Sequence, residues 1–445
     1  MSVPKTNFKS AFIAVTSLFF MWGLITVMVD ALIPRLKDVF ELDLWQASLV
    51  QFAWFMAYGL VSIPAGIMLG KTGYKKGILI GLSLAGVGCA MFYPAAELRE
   101  FWLFLMSLFV LASGITVLQV AANPYVAVLG NPEKAASRLN LAQAFNSLGT
   151  TIAPILSASY LLSDTILTGS QVAKLDGVAK DAYYATEAGA VQNPFLVLGG
   201  AFFLLALILA AVSLPKILGE RKVSFGSFNG VLKDRRLMFG ALGIFVYVGA
   251  EVSIGSFLVN YFQDLHIAEL VASNDSLRGL VSFLSETFSG KTFSELDPKG
   301  VVATFGIFYW GSAMIGRFIG AKLTSIVRPG KILMLFAFGA ISMTALSLLN
   351  DGLLAMCFIL LVGLFNSVMF PTIFTMALEN LKDDKPQGSG ILCTAIVGGA
   401  VIPLLVGAWR DASGDDLSFT LAFILPILCY LYIAWYANKF KLKKA

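Results

Sequence analysis

The sequence predicts an all-α polytopic membrane protein, with twelve transmembrane helices in two pseudo-symmetric six-helix bundles. Three observations point there. Of 445 residues, 58% are hydrophobic and 13% charged, too little charge to cover a soluble chain of this length. The apolar residues fall in runs near the ~20 needed to cross a bilayer as helix. Prolines and glycine-and-basic segments recur in register between the two halves of the chain.

On that scale the spans read 10–36, 45–69, 77–96, 101–130, 137–163, 194–215, 237–263, 301–325, 331–349, 353–379, 389–410 and 417–437. Long polar loops are expected at 162–193 and 263–300, and a basic one at 215–236. With both termini cytoplasmic, 23 of the 32 lysines and arginines fall on the cytoplasmic face, counting Arg317 near the end of span 8. The positive-inside rule therefore sets the orientation. The net charge of +5 is a topology signal, and no nucleic-acid partner is implied. No cleavable leader is evident, because the first apolar segment is too long for one. Cys89, Cys357, Cys393 and Cys429 lie in apolar runs and read as small core residues. His266, the single histidine, cannot build a metal cluster.

"AANPYV" with Pro124 and "TIAPIL" with Pro154 are echoed by "VMFPTIF" with Pro371 and "AVIPLL" with Pro403. Aligning Pro124 on Pro371 sets Gln119 opposite Asn366. "GIMLGKTGYKKG" likewise parallels "GRFIGAKLTSIVRPGK". Two bundles are thus expected, 1–216 and 237–445, joined by a cytoplasmic linker at 217–236. Related halves with polar residues near the midplane are the pattern of alternating-access carriers.

Acids inside a membrane are costly and mark function by default. Asp30 in span 1 and Glu251 in span 7 are such acids, and no lysine or arginine is expected in the middle of another span to neutralise them. They are the candidates for cation coupling. Amides both donate and accept, as sugar hydroxyls do. Gln119 and Asn123 lie one turn apart on span 4, and Gln143 and Asn146 share a face of span 5. Gln51, Asn260 and Asn366 add further amides, while Trp22, Trp54 and Trp310 offer flat apolar faces. Pro124 frees a backbone carbonyl, tolerable only where the helix lines protein or water. No zinc-site spacing, nucleophile elbow or paired catalytic aspartates appear, so no enzyme and no cofactor are expected. Amide-rich faces argue against an exporter of apolar drugs.

The loop Gly66–Lys76 resembles the signature of the major facilitator superfamily, with Gly70 where that motif usually has aspartate. "FFMWGLITVMVDALIPRL", "LQVAANPYVAVLG", "RLNLAQAFNSLGT" and "FPTIFTMALENL" resemble its fucose–galactose–glucose symporter family along nearly the whole chain. The resemblance implies the major facilitator fold, a multi-pass place in a bacterial inner membrane, and cation-driven uptake of a hexose-type monosaccharide. It assigns Asp30 to coupling and Trp22, Gln143 and Asn146 to the sugar. Gln119 stands where proton-coupled fucose carriers have a glutamate, and Val27 where they have an asparagine. An amide cannot titrate, but it can ligate. Sodium is therefore favoured over a proton, with Asp30, Thr26, Gln119 and Asn123 as a hard-oxygen cage and a functional monomer in the bilayer as the working unit.

Overall fold

The computed structural model describes residues 8–39, 44–160, 175–217, 228–412, 419 and 422–440. The first half contains α1 (Phe8–Val39), α2 (Leu44–Thr72), α3 (Tyr74–Leu98), α4 (Phe101–Val128), α5 (Ala135–Tyr160) and α6 (Gly177–Ala211). The second contains α7 (Arg235–Asp264), α8 (Asp275–Ser289), α9 (Gly306–Ile326), α10 (Pro329–Leu348), α11 (Gly352–Asn366), α12 (Met369–Ala377), α13 (Lys385–Thr394), α14 (Gly398–Ala412) and α15 (Ile424–Lys439). Helices α11 and α12 form one passage interrupted at Ser367 and Val368. Helices α13 and α14 form another, joined by the 3-10 turn Ala395–Val397.

Among the described residues, ten helical stretches are long and apolar enough to cross a membrane. Helices α5 and α15 supply the other two passages. Helix α5 has the length, at 26 residues, but its amides and hydroxyls dilute its apolar character.

Two loops hold more helix than the sequence reading expected. Helix α6 begins at Gly177, inside the supposed loop 162–193. Its alanine-rich start is a good helix former, and the Asp176 carboxylate caps it by accepting from the Ala179 amide at 2.8 Å. The supposed loop 263–300 contains α8, capped by Asn274, whose side-chain oxygen accepts from the Ser276 and Leu277 amides. Gly290 ends it at φ 68°, a left-handed turn that glycine adopts without steric cost. Of the four cysteines, three are buried and Cys357 is exposed, so the expectation of core placement fails for Cys357 on the outer side of α11.

Lipid gives little hydrophobic drive between helices, so close packing must hold them together. Small residues allow it. A Cβ on Gly81 would sit 2.8 Å from the Leu118 amide nitrogen, and one on Gly114 would strike the Ala85 backbone. Helices α3 and α4 therefore touch through their backbones. Phe92 stacks on Phe195 with ring centroids 4.0 Å apart, tying α3 to α6. Gly149 approaches the Phe20 carbonyl and sets α5 against α1.

The halves meet through α5 with α9 and α2 with α13. Three of the polar contacts between them lie towards the face where α1 begins and α15 ends. The Ser137 hydroxyl donates to the Ala321 carbonyl at 2.7 Å. Asn140 Nδ2 reaches the Thr372 hydroxyl at 3.4 Å. Proline at 124 removes the amide that would have bonded the Val120 carbonyl, and the Ser389 hydroxyl on α13 donates to that carbonyl at 2.8 Å. The carbonyl freed by a proline in one half is thus satisfied by the other half. A Cβ on Gly390 would lie 2.7 Å from the Ser62 carbonyl, so the seam between α2 and α13 closes only on glycine.

Gly390→Val is expected to open that seam. Labelling of a cysteine placed at Ser137 by a membrane-impermeant maleimide, applied from the terminal face, should rise severalfold over the same cysteine with Gly390 intact. Unchanged labelling would mean the seam does not hold this face shut.

Candidate functional site

Where the halves part, a cavity of about 200 Å³ is lined by Trp22, Gln119, Gln143 and Asn146 from the first half and by Tyr247, Val248, Glu251, Arg317, Phe370, Pro371 and Ile396 from the second. Amides come from one side and charges from the other. Each amide is held. Gln119 donates to the Tyr58 hydroxyl at 2.6 Å, Gln143 to Asn123 Oδ1 at 3.2 Å, and Asn146 to the Phe19 carbonyl at 2.9 Å. A Cβ on Gly23 would meet the Asn146 amide nitrogen at 2.7 Å, so glycine there lets Asn146 lie against α1. Trp22 is fixed at its base by Phe19, ring centroids 5.3 Å apart. These side chains enter the cavity in set orientations, as selective recognition of hydroxyl groups requires.

Arg317 is the residue that the sequence reading missed. It was counted among the basic residues at one end of span 8. It lies instead in the middle of the 21-residue α9 and points inward, where it lines the cavity and donates to the Ser147 hydroxyl on α5. The reading of span 8 as 301–325 lies close to the apolar stretch Pro298–Ile326; the helix breaks before Gly306, and that leaves Arg317 at position 12 of the 21 residues of α9. Glu251 faces it and the two interact electrostatically, yet no ion pair closes between them. Glu251 Oε1 and Arg317 Nε both lack a hydrogen-bond partner. The expectation of acids without a fixed cation is therefore corrected for Glu251. A gap between facing unlike charges, with spare donor and acceptor capacity, is a place for a polar ligand to bridge.

Several expected residues fall elsewhere. Asn123 is fully buried behind Gln143 rather than in the cavity, since four residues advance 40° past a full helical turn. Asn366 is fully buried too and donates to the Tyr309 hydroxyl at 2.9 Å, which in turn donates to the Glu251 carbonyl at 3.2 Å. It buttresses α7 from behind. Asn260 is exposed and lines no described cavity. Thr26 Oγ1 is buried without a partner, but Thr26 is not part of the cavity wall, and neither is Trp54. Trp310, 50% exposed, lines a second and larger space. The side chains of Asp30 and Gln51 lie outside the described residues.

That second space is a vestibule of about 870 Å³ on the face opposite the termini, between Val27, Thr150, Thr151 and Pro154 of the first half and the ends of α7, α8 and α9. Arg317 lines both spaces and so stands at their boundary. The molecule is closed on the terminal face and hollow on the other.

Residues 11–395 match the Major Facilitator Superfamily. The chain belongs to that superfamily. A glucose/galactose transporter of Brucella abortus is 47% identical over 433 residues, 97% of this chain and 94% of that one. The crystal structure of the Escherichia coli fucose:proton symporter matches with a TM-score of 0.84 at 30% identity, over 98% of this chain and 100% of that one. A structure of a superfamily transporter in the outward conformation matches equally, at 0.84 and 30%, over 97% and 99%. Within the superfamily the chain falls in the fucose–galactose–glucose symporter family, and it is a transporter rather than an enzyme.

Arg317→Met is expected to leave Glu251 uncompensated at the cost of on the order of 2 kcal/mol, below the 3–5 of a fully buried pair because the cavity screens the charge. Thermal unfolding in detergent should show Tm falling by a few degrees, with most of the loss recovered in R317M/E251Q. Equal losses in the single and double variants would contradict the facing-charge arrangement.

Proposed function

We propose that the chain imports a hexose-type monosaccharide by symport with a cation, by alternating access, as a multi-pass protein of a bacterial inner membrane. Both termini would be cytoplasmic and the monomer would be the working unit. The observation that supports this best is the small cavity at the junction of the halves, with fixed amides on one wall and an open Glu251–Arg317 charge pair on the other. A pyranose has hydroxyls that both donate and accept and a ring face that is apolar. Gln119, Gln143 and Asn146 suit the first and Trp22 the second. Glucose and galactose are the substrates in the name of the 47% relative.

The mechanism follows from where the halves touch. With the terminal face sealed by the Ser137, Asn140 and Ser389 bonds, sugar enters through the vestibule. A hydroxyl that accepts from Arg317 and donates to Glu251 completes a bridge which the empty carrier lacks. The same guanidinium holds Ser147 on α5, so ligand on the second half is felt by the first. Rocking of the halves around the fixed site then exposes the sugar to the other side. The membrane potential contributes about 2.3 kcal/mol per elementary charge per 100 mV to the inward step.

For the coupling ion we favour the proton. Relatives at 31% and 28% identity are named L-fucose-proton symporters, and Asp30 and Glu251 supply titratable groups. The sodium cage expected from the sequence is not assembled at the cavity, because neither Asn123 nor Thr26 is part of its wall. Sodium is the second reading, supported by Gln119, an amide that cannot titrate, on the cavity wall.

In vesicles with imposed gradients, a proton gradient alone, acid on the side from which sugar enters, should drive accumulation of labelled hexose. Accumulation that requires sodium would transfer the coupling to the second reading. Asp30→Asn should abolish accumulation while counterflow exchange persists, and full accumulation in that variant would remove Asp30 from coupling. Gln143→Ala should raise KM by about tenfold, as expected for loss of a net ~1.5 kcal/mol hydrogen-bonding contribution.

A further inference from the structure

The vestibule has a chemistry of its own. It is four times the volume of the inner cavity, and mostly apolar side chains line it. Trp310 presents an indole that is half exposed, and Phe288, Leu258 and Ile307 surround the same space. Gly255 leaves room beneath the indole, where a Cβ would come within 3.2 Å of the ring. The charges on its wall are cationic, Lys291 and Arg317, with no acid among the described lining residues. In this conformation the walls that would meet on closure are parted, and their apolar faces are open to a ligand.

We infer that the vestibule is a second subsite, which takes the aromatic aglycone of an aryl glycoside while the sugar occupies the inner cavity. This rests on the monosaccharide reading of that cavity. The two spaces share Arg317 as a common wall, so they are adjacent, and one molecule with a polar ring and an apolar ring fits both. The Arg317 guanidinium lies at the junction, where the glycosidic oxygen accepts a hydrogen bond. Aromatic stacking on Trp310 and burial of apolar area supply affinity that a free hexose lacks. The cationic wall also favours an electron-rich aryl face through cation–π attraction. The aglycone, lodged between α5 of the first half and α8 and α9 of the second, blocks the closure that transport needs. Aryl glycosides are thereby bound and not carried.

The test is calorimetric binding to the purified, full-length carrier. The probes are glucose, galactose and their methyl, phenyl and 2-naphthyl β-glycosides. Affinity should rise at least tenfold from methyl to 2-naphthyl, and the 2-naphthyl glycoside should inhibit labelled-hexose uptake without itself accumulating in vesicles. Phe288→Ala, outside the sugar cavity, should lose most of that tenfold increment while binding free hexose within twofold of the parent. Equal affinity for the methyl and naphthyl glycosides, weaker binding of the larger one, or an increment untouched by Phe288→Ala would overturn the assignment. Binding does not depend on coupling. A hexose that binds without being concentrated, with the aryl series still tighter, would support the subsite and overturn the symport reading instead.

Discussion

A guanidinium in the middle of a membrane helix has to be answered by something, because hydrocarbon offers it neither water nor a counter-charge. In this chain Arg317 is answered twice, by Ser147 across the junction of the halves and by the facing charge of Glu251 on its own half. The second answer is incomplete, and that incompleteness gives the cavity its character. A fully closed ion pair would be a structural rivet. An open one, next to amides held by Tyr58, Asn123 and the Phe19 carbonyl, is a polar chamber with unspent bonding capacity. The rest of the architecture can be seen as the scaffolding that places this chamber at the seam and allows only one face to reach it.

The scaffolding itself works by removing side chains and backbone bonds. Glycines at 81, 114 and 149 bring helices together closely enough for dispersion to act where the hydrophobic effect is weak. Proline at 124 costs α4 one internal bond, and the exposed Val120 carbonyl becomes an acceptor for Ser389. That bond crosses the seam that closes the terminal face. In the proposed alternating-access cycle it would be given up when that face opens. A bond of this kind, exchanged with others of similar strength, keeps the two states within reach of a ligand's binding energy.

Much of this was legible in the sequence, and the reasons differ residue by residue. Ten of the passages are long and apolar enough to be read directly. The partition into halves was suggested by prolines whose register repeats. Trp22, Gln119, Gln143, Asn146 and Glu251 were all named beforehand and all reach the cavity. Intramembrane polar groups are so costly that each one announces a purpose, and these share helix faces. What the sequence could not supply was depth and direction. Asn123 looked equivalent to Gln119 one turn away, yet it stands behind the wall as a support. Asn366 mirrors Gln119 in the repeat but serves Tyr309, because the halves have diverged in use. Trp310 was assigned to the sugar and stands in the vestibule. Arg317 was lost although the bounds of its span were read closely, because hydropathy does not say which way one side chain points within a span. Helix α8 was hidden by its polarity, since loop and amphipathic helix look alike to a hydropathy scale tuned for lipid.

The most direct measurement of the central claim is an experimental structure of the carrier with its hexose bound. The account predicts sugar density in the inner cavity, its ring against Trp22, its hydroxyls on Gln143 and Asn146, and one hydroxyl bridging Arg317 and Glu251. Density confined to the vestibule beside Trp310, or a sugar in the cavity with Arg317 turned away from it, would contradict it.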